Sequence, residues 1–268
     1  KVLTAFAPAI DGVNATLATV YYDEPYQVGK KQFRNWYGRY YGYCNIREAI
    51  AYSMNIVAVR CMMETVSPQL GVWYAGNMGI STLSEKDYNA STALGGITDG
   101  VTNLELTAAF GAIGAGGTYT KPVFFTKVLD HDGNVLLENP GESHRALKEG
   151  TASLLTSAME TVVTSGTGRS CQLRNMPVAG KTGTTTSNKD LWFCGFTPYY
   201  TCAVWGGYDD NKECNNDTSF RFRLWKGIMS RIHADLERKE FDTNKGLERK
   251  TVCTLTGKLA VAGKCPSA

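Results

Sequence analysis

The sequence predicts an α+β fold: an antiparallel β-sheet covered by helices, joined to a mainly helical lobe. Three observations predict it. Helical patterns dominate up to about residue 117, three aromatic-rich strand patterns run in succession from Val178 to Tyr208, and a long amphipathic helix pattern follows them. All 268 residues then read as one domain, with a helical lobe over about 1–117 and an α/β sheet lobe over about 118–268.

Leu3 to Ile10 is apolar and alanine-rich, which predicts a buried helix beginning at or before Lys1 and stopping around Asp11-Gly12. Residues 13 to 44 are rich in Tyr, Gly and Asn, including Asn35-Trp36-Tyr37-Gly38, and predict an irregular excursion with short strands at most. Asn45 is placed as an N-cap before Ile46, Ala49 and Ile50, one apolar face of a helix that runs to about Tyr52. After Ser53-Met54-Asn55 an apolar helical pattern resumes from Ile56 to Met63, with Asn55 suited to cap it.

Ser67-Pro68 opens a helix ending near Asn77-Met78-Gly79. Thr102 and Glu105 form a capping box before Leu104, Leu106, Ala109, Phe110 and Ile113, and Gly116-Gly117 stops that helix. Val123 to Leu129 and Val135 to Leu137, joined across Asp132-Gly133, predict a β-hairpin. Thr151 is placed to cap a helix that Ser165-Gly166-Thr167-Gly168 breaks. Leu224, Trp225, Ile228, Met229, Ile232 and Leu236 lie at helical spacing, as one face that covers the sheet.

Composition excludes several classes of function. With 43% hydrophobic and 20% charged residues the chain is an ordinary globular mixture, and a formal charge of +3 is too small for a nucleic-acid binder. No apolar run is long enough to span a bilayer, and no signal peptide is present, so an export or anchoring segment is expected outside these residues. Eight cysteines without a C-x-x-C pair argue against a zinc site, and His131, His144 and His233 lie in no ligand or catalytic pattern. No metal or cofactor is expected. Cys253 and Cys265 are the pair to test first for a disulfide.

Chemistry concentrates in Val178-Ala179-Gly180-Lys181-Thr182-Gly183-Thr184. Glycines allow close approach, Lys181 supplies a point charge, and Thr182 and Thr184 share one face of an extended strand. Such an edge suits a carboxylate.

With Ser53-Met54-Asn55 at a helix junction and Lys181-Thr182-Gly183-Thr184 opening a strand, the chain resembles the transpeptidase domain of penicillin-binding proteins, a fold shared with serine β-lactamases. The S-x-N and K-T-G-T motifs match in identity, order and separation. Thr251 to Ala260 resembles, more loosely, the tail of class A, bifunctional members. The family's first motif is S-x-x-K, and Lys1-Val2-Leu3-Thr4 resembles the run that begins with its lysine. The nucleophilic serine is then expected three residues before Lys1, outside the sequence.

The resemblance implies a D,D-transpeptidase that cross-links peptidoglycan stem peptides through a serine acyl-enzyme and is inhibited by β-lactams. It implies Lys1 as the base, Ser53 as proton relay, Asn55 as an orienting amide and Lys181 as positive potential. Thr182, Gly183 and Thr184 would hold the substrate, the Thr184 N–H serving as an oxyanion donor. An upstream glycosyltransferase domain, an N-terminal membrane anchor and a position on the extracytoplasmic face of a bacterial membrane are implied with it. A serine β-lactamase or D,D-carboxypeptidase shares the motifs, and a non-catalytic β-lactam sensor would keep the binding edge alone.

Overall fold

The computed structural model describes residues 1–265. A π-helical turn over Val2–Phe6 continues into α1 (Ala7–Gly12), and every residue from Val2 to Asp11 is buried. The excursion that follows holds short strands β1 (Val20–Asp23), β2 (Tyr26–Val28), β3 (Lys31–Phe33) and β4 (Gly42–Asn45), with β1 paired to β4 and β2 to β3. Then come α2 (Ile46–Ala51), α3 (Asn55–Arg60) with a π-helical extension over Cys61–Val66, α4 (Pro68–Asn77) and α5 (Asn103–Gly114). Expected caps form at Asn45 with Glu48, at Ser67, and at Thr102 with Glu105.

Four short strands make two small antiparallel pairs: β5 (Thr118–Thr120) with β8 (Ser143–Arg145), and β6 (Lys127–Leu129) with β7 (Val135–Glu138). The second pair is the expected hairpin, its first strand confined to three residues. Beyond α6 (Glu149–Thr164) lies the main sheet, β9 (Ala179–Thr184), β10 (Asp190–Phe196) and β11 (Thr201–Gly207), in the order β11-β10-β9. Helix α7 (Phe220–Ile232) covers one face, while α5 and α6 pack on the other side.

A single buried cluster links the lobes. Phe6, Ile50 and Val57 of the helical lobe share it with Leu155 and Val162 of α6 and with Ala179, Cys194 and Phe196 of the sheet. On the α7 side Phe193, Trp225, Met229, Val163 and Cys171 form a second cluster, with the Trp225 and Phe193 rings edge-on at 5.1 Å.

Three expectations are corrected. Helix α6 begins at Glu149 rather than beyond Thr151, because the buried Asp11 carboxylate accepts from the Lys148 backbone N–H at 2.7 Å and draws the start back; Thr151 is buried inside the first turn. Asn55 is the first residue of α3 instead of its cap, since Asn35 Oδ1 accepts from the backbone N–H groups of Asn55 and Ile56. In α7 the line Arg221, Trp225, Met229 is buried, but Leu224, Ile228 and Ile232 are exposed. Leu224 and Ile228 each sit one residue before a buried position, which rotates them by about 100° away from the sheet.

Cysteines 253 and 265 lie in the C-terminal segment, where a lone bridge joins Val252 to Leu259, and both are free thiols.

Candidate active site

Three elements converge on the Ser53 hydroxyl. Lys1 precedes the first helical turn, Ser53 lies in the middle of the α2–α3 junction, and Lys181 is the third residue of β9. The junction is sharp: Ser53 has φ of 56°, a left-handed conformation that turns its side chain out of both helices. Gly180 permits the strand to lie close against its neighbour, since a Cβ there would fall 2.6 Å from the Phe193 ring.

Lys1 Nζ donates to Asn55 Oδ1 at 2.6 Å, to the Ser53 carbonyl at 2.9 Å and to Ser53 Oγ at 3.0 Å. Lys181 Nζ donates to the same Ser53 Oγ at 2.8 Å and to the Thr182 carbonyl at 3.1 Å. Ser53 accepts from both amines, which occupies its two lone pairs and leaves its own proton free to point elsewhere. Asn55 completes its amide by donating Nδ2–H to the Arg34 carbonyl at 2.9 Å.

Electrostatics follow from that crowding. Burial lowers the Lys1 amine from 10.5 to about 7, so a large fraction is neutral at physiological pH. Burial first, and the charge of Lys1 second, hold Lys181 well below its ordinary value. Two amines on one hydroxyl titrate as a pair, and a single proton is shared more readily than two are held.

Of the expected residues, Lys1, Ser53, Asn55 and Lys181 are brought together directly. Thr182 and Thr184 alternate with Lys181 along β9; Thr182 Oγ1 still accepts from Lys181 Nζ at 3.5 Å and meets Thr167 Oγ1 at 2.9 Å, while Thr184 Oγ1 accepts from Arg221 Nη2 at 3.3 Å. Gly183 takes part through its backbone, opposite Trp192. Strand β9 is the sheet's edge. The Thr185 N–H bonds the Asp190 carbonyl, so by antiparallel alternation the N–H groups of residues 182 and 184 turn to the free edge.

Sequence reasoning missed four residues around this site. Asn35 and Asp23 sit in the stretch read as irregular: Asp23, 1% exposed, accepts from Asn35 Nδ2 at 2.7 Å and from the Tyr41 N–H at 3.0 Å, which locks Asn35 onto the start of α3. Thr167 lay in a helix break, and Arg221 stood in no motif. Only the Asn35-Trp36-Tyr37-Gly38 turn signal was visible in advance, and it carries no information about a contact with residue 55. Among the described residues no group of three His, Cys, Asp or Glu is placed to hold a metal, and no helix is long and apolar enough to cross a membrane.

Comparison with known proteins agrees with this arrangement. Residues 1–217 match the family described as penicillin binding protein transpeptidase domain. The chain is 36% identical over 272 aligned residues to penicillin-binding protein 1A of Clostridium botulinum strain Langeland, which covers 97% of this chain and 33% of the relative. It thus spans about a third of the length of the curated relatives it matches. The fold superposes on penicillin-binding protein 1A of Haemophilus influenzae with a TM-score of 0.84 at 23% identity, over 97% of this chain and 46% of that one. PonA1 of Mycobacterium tuberculosis, solved in complex with penicillin V, gives 0.73 at 27% identity over 81% of this chain and 64% of that one. With the family match over most of its length and S-x-N and K-T-G-T meeting at one hydroxyl, the chain belongs to the penicillin-binding protein transpeptidase domain family.

Proposed function

We propose that this chain carries the acyl-transfer site of a D,D-transpeptidase that cross-links peptidoglycan stem peptides and is blocked by β-lactams. The observation that carries the reading is the placement of Ser53 Oγ between the amines of Lys1 and Lys181. A serine three residues before Lys1 is the nucleophile, one helical turn from the amine that takes its proton. Lys1 acts as base because burial leaves it near neutrality. Ser53, hydrogen-bonded to that amine, passes the proton to the departing D-alanine nitrogen, and Asn55 holds Lys1 in register.

Lys181, Thr182 and Thr184 bind the terminal carboxylate, Gly183 lets the substrate backbone lie along the edge, and the outward N–H of Thr184 stabilises the oxyanion. Penicillin V in the PonA1 complex supports a β-lactam as substrate mimic. A glycosyltransferase domain and a membrane anchor in the same polypeptide, at the outer face of a bacterial membrane, agree with the greater length of the relatives.

Labelling of the full-length protein with a fluorescent penicillin, followed by assay of cross-linking on a lipid-linked substrate, tests this. Stable labelling with cross-linking is expected. Rapid hydrolysis of the penicillin would assign a β-lactamase, and labelling without cross-linking would assign a sensor.

A further inference from the structure

We infer that Arg221 is a positioning residue for the substrate's terminal carboxylate, supplying positive charge behind β9 and orienting the Thr184 hydroxyl. This rests on the transpeptidase reading above. Arg221 is the second residue of α7 and only 7% exposed. Its Nη1 donates to the Thr218 carbonyl at 2.7 Å and its Nη2 to Thr184 Oγ1 at 3.3 Å, while Nε is buried without a partner. Its guanidinium lies 4.4 Å from the Phe222 ring centroid.

Among the described residues Arg221 forms no ion pair, although Arg60 is paired with Glu24 and Glu64 and Arg223 with Asp217. Its neighbour Cys171 offers no negative charge, because burial pushes that thiol up to about 12. A buried cation without an anion is costly, and an anion arriving beside it would offset that cost. The β9 edge at Thr184 lies within hydrogen-bond reach of its guanidinium.

Hydroxyl stereochemistry gives the charge a second role. A threonine hydroxyl has one proton and two lone pairs. With Arg221 filling a lone pair of Thr184 Oγ1, the proton is directed away from the guanidinium, available to a carboxylate oxygen on the edge. Lys181 approaches that edge from the opposite face of the strand, so a carboxylate of a D-alanyl peptide, or that of a β-lactam, would sit between its amine and the Arg221 guanidinium.

The test uses the full-length protein and compares the second-order acylation constants for benzylpenicillin and for its methyl ester, which lacks the anion. Arg221→Gln is expected to lower the acid's constant by about tenfold to a hundredfold while changing the ester's by less than about twofold. Arg221→Lys should recover part of the loss, and in a Thr184→Val background Arg221→Gln should have a smaller effect on the acid-to-ester ratio. Equal loss for acid and ester, or no loss, overturns the inference. Should Arg221→Gln not fold, the acid-to-ester ratios of Arg221→Lys and Thr184→Val decide: reduced in both supports the inference, unchanged in either overturns it. An unsubstituted protein that no penicillin acylates overturns the transpeptidase reading and this inference with it, whereas acylation with an unaltered ratio in the variants overturns this inference alone.

Discussion

Ser53 Oγ accepts a hydrogen bond from Lys181 Nζ at 2.8 Å across 128 residues of sequence. The helical lobe and the sheet therefore meet at one oxygen atom, and Lys1 Nζ lies 3.0 Å from the same oxygen. The roles proposed above give four outcomes open to measurement.

Acylation should depend on pH through Lys1. Its amine titrates near 7, so the base form is lost as pH falls and the acylation rate should drop towards tenfold per unit below that point. Stopped-flow acylation by a fluorescent penicillin from pH 5.5 to 8.5 measures this, and a flat profile would remove Lys1 from the role of base. The sign for stability is the same. The folded pKa lies below the unfolded one, so between about 7 and 10.5 the unfolded chain binds more protons and stability rises with pH. Unfolding free energy of the wild type minus that of Lys1→Met should increase across this window.

Ser53→Gly should separate chemistry from folding. Glycine accepts φ of 56° more readily than serine, so the junction should hold, while the shared hydroxyl disappears. Acylation is expected to fall by about 10²–10⁴-fold with an unchanged or higher melting temperature. A variant that labels at the wild-type rate would exclude the relay.

Asn35→Ala should destabilise the fold by about 1–3 kcal/mol, because the buried Asp23 carboxylate loses a donor and two backbone N–H groups of α3 lose their acceptor. Urea denaturation reads the loss. Acylation should slow as well, since Asn55 is set by the same contact; stability within about 0.5 kcal/mol of wild type would show that water replaces Asn35.

Gly166→Ala tests the docking of α6 against the junction. A Cβ at residue 166 would fall 2.2 Å from the Ala51 carbonyl oxygen, next to the point where the Thr167 N–H bonds that same oxygen at 3.1 Å. Overpacking here is expected to remove about 1–3 kcal/mol and to disturb the Thr167–Thr182 contact. Thermal unfolding checks it, and an unshifted midpoint would mean that the two segments separate freely.

Much of this molecule is local in origin and therefore legible in the chain. Capping boxes at Asn45 and Thr102, the Ser67-Pro68 helix start and the three strands from Ala179 to Gly207 follow from side chains acting on backbone within a few residues of themselves. The motif residues Ser53, Asn55, Lys181, Thr182, Gly183 and Thr184 were legible too, as residue types at fixed spacing. Tertiary structure alone decided the rest. Asn55 is free to hold Lys1 because Asn35 caps α3 from across a loop, and the start of α6 is set by Asp11 from 137 residues away. The lowered Lys1 amine and the unpaired Arg221 cation beside Thr184 both come from burial, which depends on what the whole fold packs around a charge and not on the neighbours that precede and follow it.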